Sequence, residues 1–235
     1  MPLSLDTRTV GKVAVIRCNG RITAGEESEA LRVHINSMFG RHKDFLLHLG
    51  EVGFIDSSGL GTVVRLLSST RRLHGDLKLC NIPPGIEKVL KITNLSTLFD
   101  AHGSEESAIS AFYRRSKTSE APSAVGHSVV CVDKNADVLA YLRELLIRGG
   151  YDVHTTNSLA DSVILIRVIR PLVLLVGASV TGSPGAEQAF AAARATVPVI
   201  DLGTDFSTQD AGEAAARLME SIQALRTQPK RSAES

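Results

Sequence analysis

The stretch Phe54-Ile55-Asp56-Ser57-Ser58-Gly59-Leu60-Gly61 joins two segments whose apolar residues repeat with different periods. Upstream, Phe45-Leu46-Leu47-His48-Leu49 is a short apolar run of the kind a buried strand shows; downstream, Leu60, Val63, Val64 and Leu67 recur at helical spacing. The period switches from strand to helix across Asp56 to Ser58. Asp and Ser are preferred at such junctions because their side-chain oxygens accept hydrogen bonds from the unpaired amides of a first helical turn. The plainest reading is a capped helix. A cap alone does not account for two adjacent hydroxyls and two glycines, each glycine costing roughly 1 kcal/mol against alanine inside a helix. Gly59 and Gly61 would leave a bare surface around the serines, open to another macromolecule. A phosphate on Ser57 would sit at the positive end of the helix dipole, where the fold could carry it without unfolding.

Toward the N-terminus, Leu3 to Thr9 and Val13 to Cys18 read as strands joined in a hairpin at Gly11-Lys12. Thr23-Ala24-Gly25-Glu26 reads as a capping box, with Thr23 accepting from an amide and Glu26 reaching back. Leu31, Ile35 and Met38 mark a helix ending near Gly40, which makes the strand at Phe45 parallel to its predecessor. The elbow then lies at the carboxyl end of a strand, where open α/β sheets place their binding sites. Toward the C-terminus the elbow helix runs to about His74, with Gly75 at a common stop position. Leu60 reads as core by its spacing to Val63, Val64 and Leu67, and alternatively as part of a recognition patch. Leu77 to Ile82 is a strand, Pro83-Pro84 opens a short helix to Ile92, Phe99 begins a last short strand, and Glu105 to Tyr113 is a closing helix. Residues 1–113 thus read as one complete mixed α/β domain.

Residues 114–127 have no apolar period and read as a flexible linker. From His127 the alternation restarts: strands at 129–132, around Val153, at Leu172 to Val176 and at Val197 to Leu202, with helices over Val138 to Leu146 and Ser162 to Ile169. Residues 128–225 form a second α/β domain, more acidic than basic, and 226–235 a polar tail.

Bulk composition narrows the function. The chain has 235 residues, a net charge of +1 and only 4% aromatics, with neither a basic footprint nor base-stacking platforms for direct nucleic-acid binding. Cys18, Cys80 and Cys131 fall in strands without close pairs, as reduced core thiols do. No segment approaches the ~18 apolar residues of a membrane span and no leader pattern opens the sequence, so the expected location is cytoplasmic. No metal-ligand cluster, phosphate loop or nucleophile elbow stands in the sequence; no cofactor and no catalysis are expected.

The hexapeptide Asp56-Ser57-Ser58-Gly59-Leu60-Gly61, the order of elements from Leu3 to Tyr113, and Gly20-Arg21-Ile22 before the first helix resemble the STAS domain of bacterial anti-sigma factor antagonists. The resemblance implies that Ser57 is phosphorylated by a partner serine kinase that is also the anti-sigma factor. Unphosphorylated protein would bind that kinase and release a sigma factor; phosphorylation would reverse it, with a serine phosphatase as a further partner and homo-oligomers within reach. It also implies a partner-binding patch of Asp56, Ser58, Gly59, Leu60, Gly61 and Thr23, although family members often carry an acidic residue where Thr23 stands. Residues 128–225 resemble a response-regulator receiver domain, a doubly wound flavodoxin-like fold. Its chemistry needs a phosphoacceptor aspartate and an acidic pair for a divalent cation. Here the pair reads Asp133-Lys134, the acceptor position Gly177, and the switch hydroxyl position Gly203 or Thr204; the partner lysine and fifth strand are missing. The expectation is a pseudo-receiver with a truncated sheet. Two further readings stand beside the switch: a scaffold or assembly subunit of a stress-signalling complex regulated through the same serine, and a nucleotide-sensing or transport-accessory domain.

Overall fold

The computed structural model describes residues 1–119, 127–178, 180–203 and 211–227 and divides into two compact units, Met1–Ser116 and Lys117–Ser235. Linker residues 120–126, the Thr204 alternative and tail residues 228–235 lie outside the described residues.

In the first unit β1 (Ser4–Val10) and β2 (Val13–Ile22) form an antiparallel hairpin, turning at Gly11 with φ 61°. The chain continues through α1 (Glu26–Met38), β3 (Asp44–Ile55), α2 (Ser57–Arg72), β4 (Asp76–Cys80), α3 (Pro84–Ile92), a 3-10 turn (Leu95–Thr97), β5 (Asp100–His102) and α4 (Glu105–Ser119). The sheet has the order β1-β2-β3-β4-β5, and every pairing after the hairpin is parallel. Burial explains the helix positions. Ile16, Phe45, Leu47, Leu77 and Leu79 form one core with Leu31 and Ile35 of α1, Leu60, Val63 and Leu67 of α2, and Ile86 and Leu90 of α3. On the opposite face Lys78, alternating with Leu77 and Leu79, lies buried with its ammonium 4.9 Å from the ring of Phe112 on α4. Asp76, at 3.3 Å, and Asp100 pair with the same ammonium, so the buried charge is compensated.

Several local features differ from the expected ones. Strand β3 runs to Ile55 rather than Leu49, with two register shifts against β2. Helix α4 continues through residues 114–119, where a linker is expected; an apolar period marks a buried face and does not by itself set where a helix stops. Gly75 serves a close approach rather than a left-handed turn. His74 takes the positive φ, 59°, the Gly75 amide donates to the Thr70 carbonyl at 3.0 Å, and an added Cβ on Gly75 would lie 1.8 Å from the Lys43 carbonyl oxygen.

The second unit contains β6 (Ser128–Val132), α5 (Ala136–Arg148), β7 (Asp152–Thr156), α6 (Leu159–Ile169), β8 (Val173–Val176), α7 (Pro184–Arg194), β9 (Val199–Asp201) and α8 (Ala211–Thr227). Its four described strands are all parallel in the order β7-β6-β8-β9. Val129, Cys131, Val173 and Leu175 pack with Leu142 and Leu146 of α5 and with Leu218 and Ile222 of α8. The alternating residues Val130, Val132, Leu174 and Val176 are buried too, as a parallel sheet covered on both faces requires. Helix α7 is not anticipated by the sequence reading, α6 begins three residues before Ser162, and 226–227 continue α8 rather than opening the tail.

The Gly75 contact is directly testable. Gly75→Ala should lower stability by about 1–3 kcal/mol through overpacking, read as an earlier denaturation midpoint. Gly85→Ala in α3, where an added Cβ meets nothing within 4 Å, should be neutral or slightly stabilising.

Candidate functional site

The site is the junction of β3 and α2, and all four polar groups of Asp56 hold it together. The Asp56 amide donates to the Ile22 carbonyl at 3.3 Å, and its carbonyl accepts from Leu60 at 2.9 Å. On the side chain, Oδ1 accepts from the Gly59 amide at 2.7 Å and Oδ2 from the Ala24 amide at 2.9 Å. One carboxylate therefore caps α2 and ties it to the loop that leads into α1. The hydrogen bonds from the Gly59 and Ala24 amides hold this carboxyl below its ordinary value.

The expected patch residues separate into two groups. Ser57 and Ser58 are exposed on the first turn of α2, and Gly61 is half-buried beside them. Leu60, by contrast, is 4% exposed and packs in the core, as its helical spacing predicts. Gly59 is buried, and an added Cβ would lie 2.1 Å from the Ile22 carbonyl oxygen. Its bare Cα serves the approach of α2 to the end of β2 and not an external surface. Gly61 fits the open-surface reading better: an added Cβ would meet only an Arg65 guanidinium nitrogen, at 3.5 Å. That guanidinium donates to Thr62 Oγ1 at 2.8 Å, and Thr62 donates to the Ser58 carbonyl at 3.1 Å.

Thr23 does not form the expected capping box. Helix α1 starts at Glu26 with Gly25 as N-cap and no side-chain cap. The Thr23 carbonyl instead accepts from the Ser28 amide and hydroxyl, at 3.1 and 2.6 Å, and its own hydroxyl donates to Glu27 at 3.4 Å. The amide of Ala24, in the same loop, is bonded to Asp56 from 32 residues away. Backbone donors such as Ala24 carry no sequence signal, so this contact is invisible before folding.

In the second unit Asp133 is 8% exposed at the end of β6 and accepts from the Asn135 amide at 2.7 Å. A Cβ on Gly177 would lie 1.8 Å from Asp133 Oδ2. The carboxylate of the one acidic residue of the expected pair fills the space a side chain at 177 would need. Lys134 donates to Thr181. Among the described residues no group of three or more His, Cys, Asp or Glu side chains is placed to hold a metal ion, and no helix is long and apolar enough to cross a membrane. Burial pushes the thiols of Cys18, Cys80 and Cys131 up to about 12, so they are protonated core residues.

Residues 4–108 match the family model of the STAS domain. The first unit is a STAS domain. A curated relative, the candidate anti-sigma factor antagonist BtrV of Bordetella bronchiseptica, is 26% identical over 99 residues, which are 42% of this chain and 85% of BtrV. Among solved structures, a candidate anti-sigma factor antagonist from Thermotoga maritima is 22% identical with a TM-score of 0.44, covering 46% of this chain and 93% of that one. The Bacillus cell-fate determinant SpoIIAA in its phosphorylated form is 25% identical with a TM-score of 0.38, covering 46% and 97%.

The lowered carboxyl value fixes the sign of a pH effect in this STAS domain. The contribution of Asp56 to stability is complete above the ordinary carboxylate value of about 4 and is lost as pH falls through the lowered value. Asp56→Ala should be less stable than the native protein at about pH 7, with the difference shrinking toward about pH 3 in denaturation midpoints. A difference that stays constant across that range would contradict the hydrogen-bonded carboxylate.

Proposed function

We propose that this protein is an anti-sigma factor antagonist controlled at Ser57. Unphosphorylated, its STAS domain docks through the rim around Ser57 onto an anti-sigma factor with serine kinase activity and so frees a sigma factor. Phosphorylation of Ser57 by that kinase ends the association, and a serine phosphatase would restore it. On this reading the chain is the substrate of a kinase and catalyses nothing itself.

The observation that carries the proposal is the state of the α2 N-terminus. Ser57 is exposed, whereas the Asp56 carboxylate already takes the Gly59 amide of that turn. A phosphate on Ser57, with about −1.5 to −2 charges, would therefore stay on the surface beside an existing carboxylate. It would repel or leave unpaired whatever faces it, and desolvating it at an interface would cost several kcal/mol. The helix and its core contacts would remain. The STAS match over residues 4–108 and the likeness to BtrV support the same reading.

For the second unit, the parallel order β7-β6-β8-β9 supports the receiver-like reading, and Asp133 packed against Gly177 supports one without a phosphoacceptor.

The test uses purified native protein and the serine kinases of the same organism with ATP, followed by mass spectrometry and binding assays. Phosphate should map to Ser57 and be absent from Ser57→Ala. Ser57→Asp should bind the kinase at least tenfold more weakly than native, about 1.4 kcal/mol. Equal binding of Ser57→Asp and native protein would contradict the proposal.

A further inference from the structure

Strand β3 breaks its own alternation just before the elbow. Arg17 pairs with His48 and Asn19 with Glu51, then Gly20 pairs with Val52 and Arg21 with Phe54, so β3 uses one residue more than β2 in each interval. These are bulges, which bend a strand and re-aim its side chains. After the first bulge Val52 takes over the core face from Leu49, and the second bulge sets the direction of Phe54. Val52 is 2% exposed and faces the core, and strict alternation would turn Phe54 inward with it. The extra residue at Gly53 instead turns Ile55 inward, at 6%, and leaves Phe54 52% exposed. An added Cβ on Gly53 would meet nothing closer than the Gly20 carbonyl oxygen at 3.9 Å, so there is room beside the backbone at the bulge. Across the ladder Arg21 is exposed and makes no ion pair among the described residues. Both residues lie at the carboxyl ends of their strands, one residue before Ile22 and Ile55, whose next neighbours Thr23 and Asp56 belong to the rim.

An aromatic ring turned to water beside a guanidinium is the composition of an interface hot spot, where aromatic and arginine side chains dominate binding. We propose that Phe54 and Arg21 are the anchor pair of the docking face: the ring enters an apolar socket on the anti-sigma kinase, and the guanidinium meets a carboxylate at the mouth of that socket. This rests on the antagonist reading above and extends its face from α2 onto the strand ends. Phosphorylation at Ser57 then acts at the edge of a contact anchored by Phe54, which explains how one surface charge can end an association without refolding.

The probe is the purified serine kinase that phosphorylates Ser57, titrated calorimetrically with full-length native, Phe54→Ala, Phe54→Leu, Arg21→Glu and Ser57→Asp proteins. Phe54→Ala should weaken binding on the order of 30-fold and Arg21→Glu about tenfold, with Phe54→Leu between native and Phe54→Ala. The denaturation midpoint and sedimentation of free Phe54→Ala should match native, because half of the side chain is turned to water. Binding by Phe54→Ala within threefold of native, while Ser57→Asp binds weakly, would overturn the anchor and leave the antagonist reading standing. Native binding by Ser57→Asp would remove the reading itself. A Phe54→Ala protein that is destabilised, or whose sedimentation changes, would show a ring packed within the chain or against a second copy, and would also overturn the anchor.

Discussion

The Asp56 carboxylate is the contact on which the first unit's functional geometry depends. Its two oxygens accept from Gly59 at 2.7 Å and Ala24 at 2.9 Å, so the start of α2 and the loop before α1 form one rigid rim. Such an arrangement requires α2 to lie against the end of β2, and only glycine at 59 allows it, since a Cβ there would collide with the Ile22 carbonyl. Leu60 then points into the core, and the serines are left outside because no other direction remains on that turn. The exposed hydroxyls are thus a consequence of packing beneath them. A rim held this way can change its charge without changing its shape, which is the property a phosphorylation switch based on contact needs.

The bulges of β3 complete the same geometry from the strand side. Phe45, Leu47 and Leu49 face the core before the first bulge, Val52 between the two, and Ile55 after the second. The two extra residues, near Gly50 and Gly53, together keep Ile55 on the packed face, and Asp56 follows it to the rim. The second unit shows the reverse economy. There Gly177 removes a side chain, and the Asp133 carboxylate occupies the space that side chain would need.

Much of this was legible in the sequence, for identifiable reasons. The period change across Asp56 to Ser58, the Gly11 hairpin and the Pro84 helix start are local signals, and local chemistry decides them. The STAS resemblance rested on the elbow motif, and it holds for the first unit. What failed depended on distant partners. Thr23 and Glu26 fit a capping box by spacing, but Asp56 supplies the acceptor for that loop from another element. Gly59 looked like a surface device because nothing local reveals the Ile22 carbonyl 2.1 Å from its would-be Cβ. Strand β3 extends past its apolar run Phe45 to Leu49 because it continues through two bulges, and α4 extends past its apolar residues.

The central claim is that phosphorylation at Ser57 changes the charge of a rim whose shape Asp56 keeps. Residue-resolved amide hydrogen exchange, on the full-length protein before and after stoichiometric phosphorylation of Ser57, tests it most directly. The account predicts that the Ala24 and Gly59 amides stay protected in both forms and that differences are confined to the first turn of α2. Loss of protection at Ala24 and Gly59, spreading through α1 and α2, would contradict it and make the switch a change of fold.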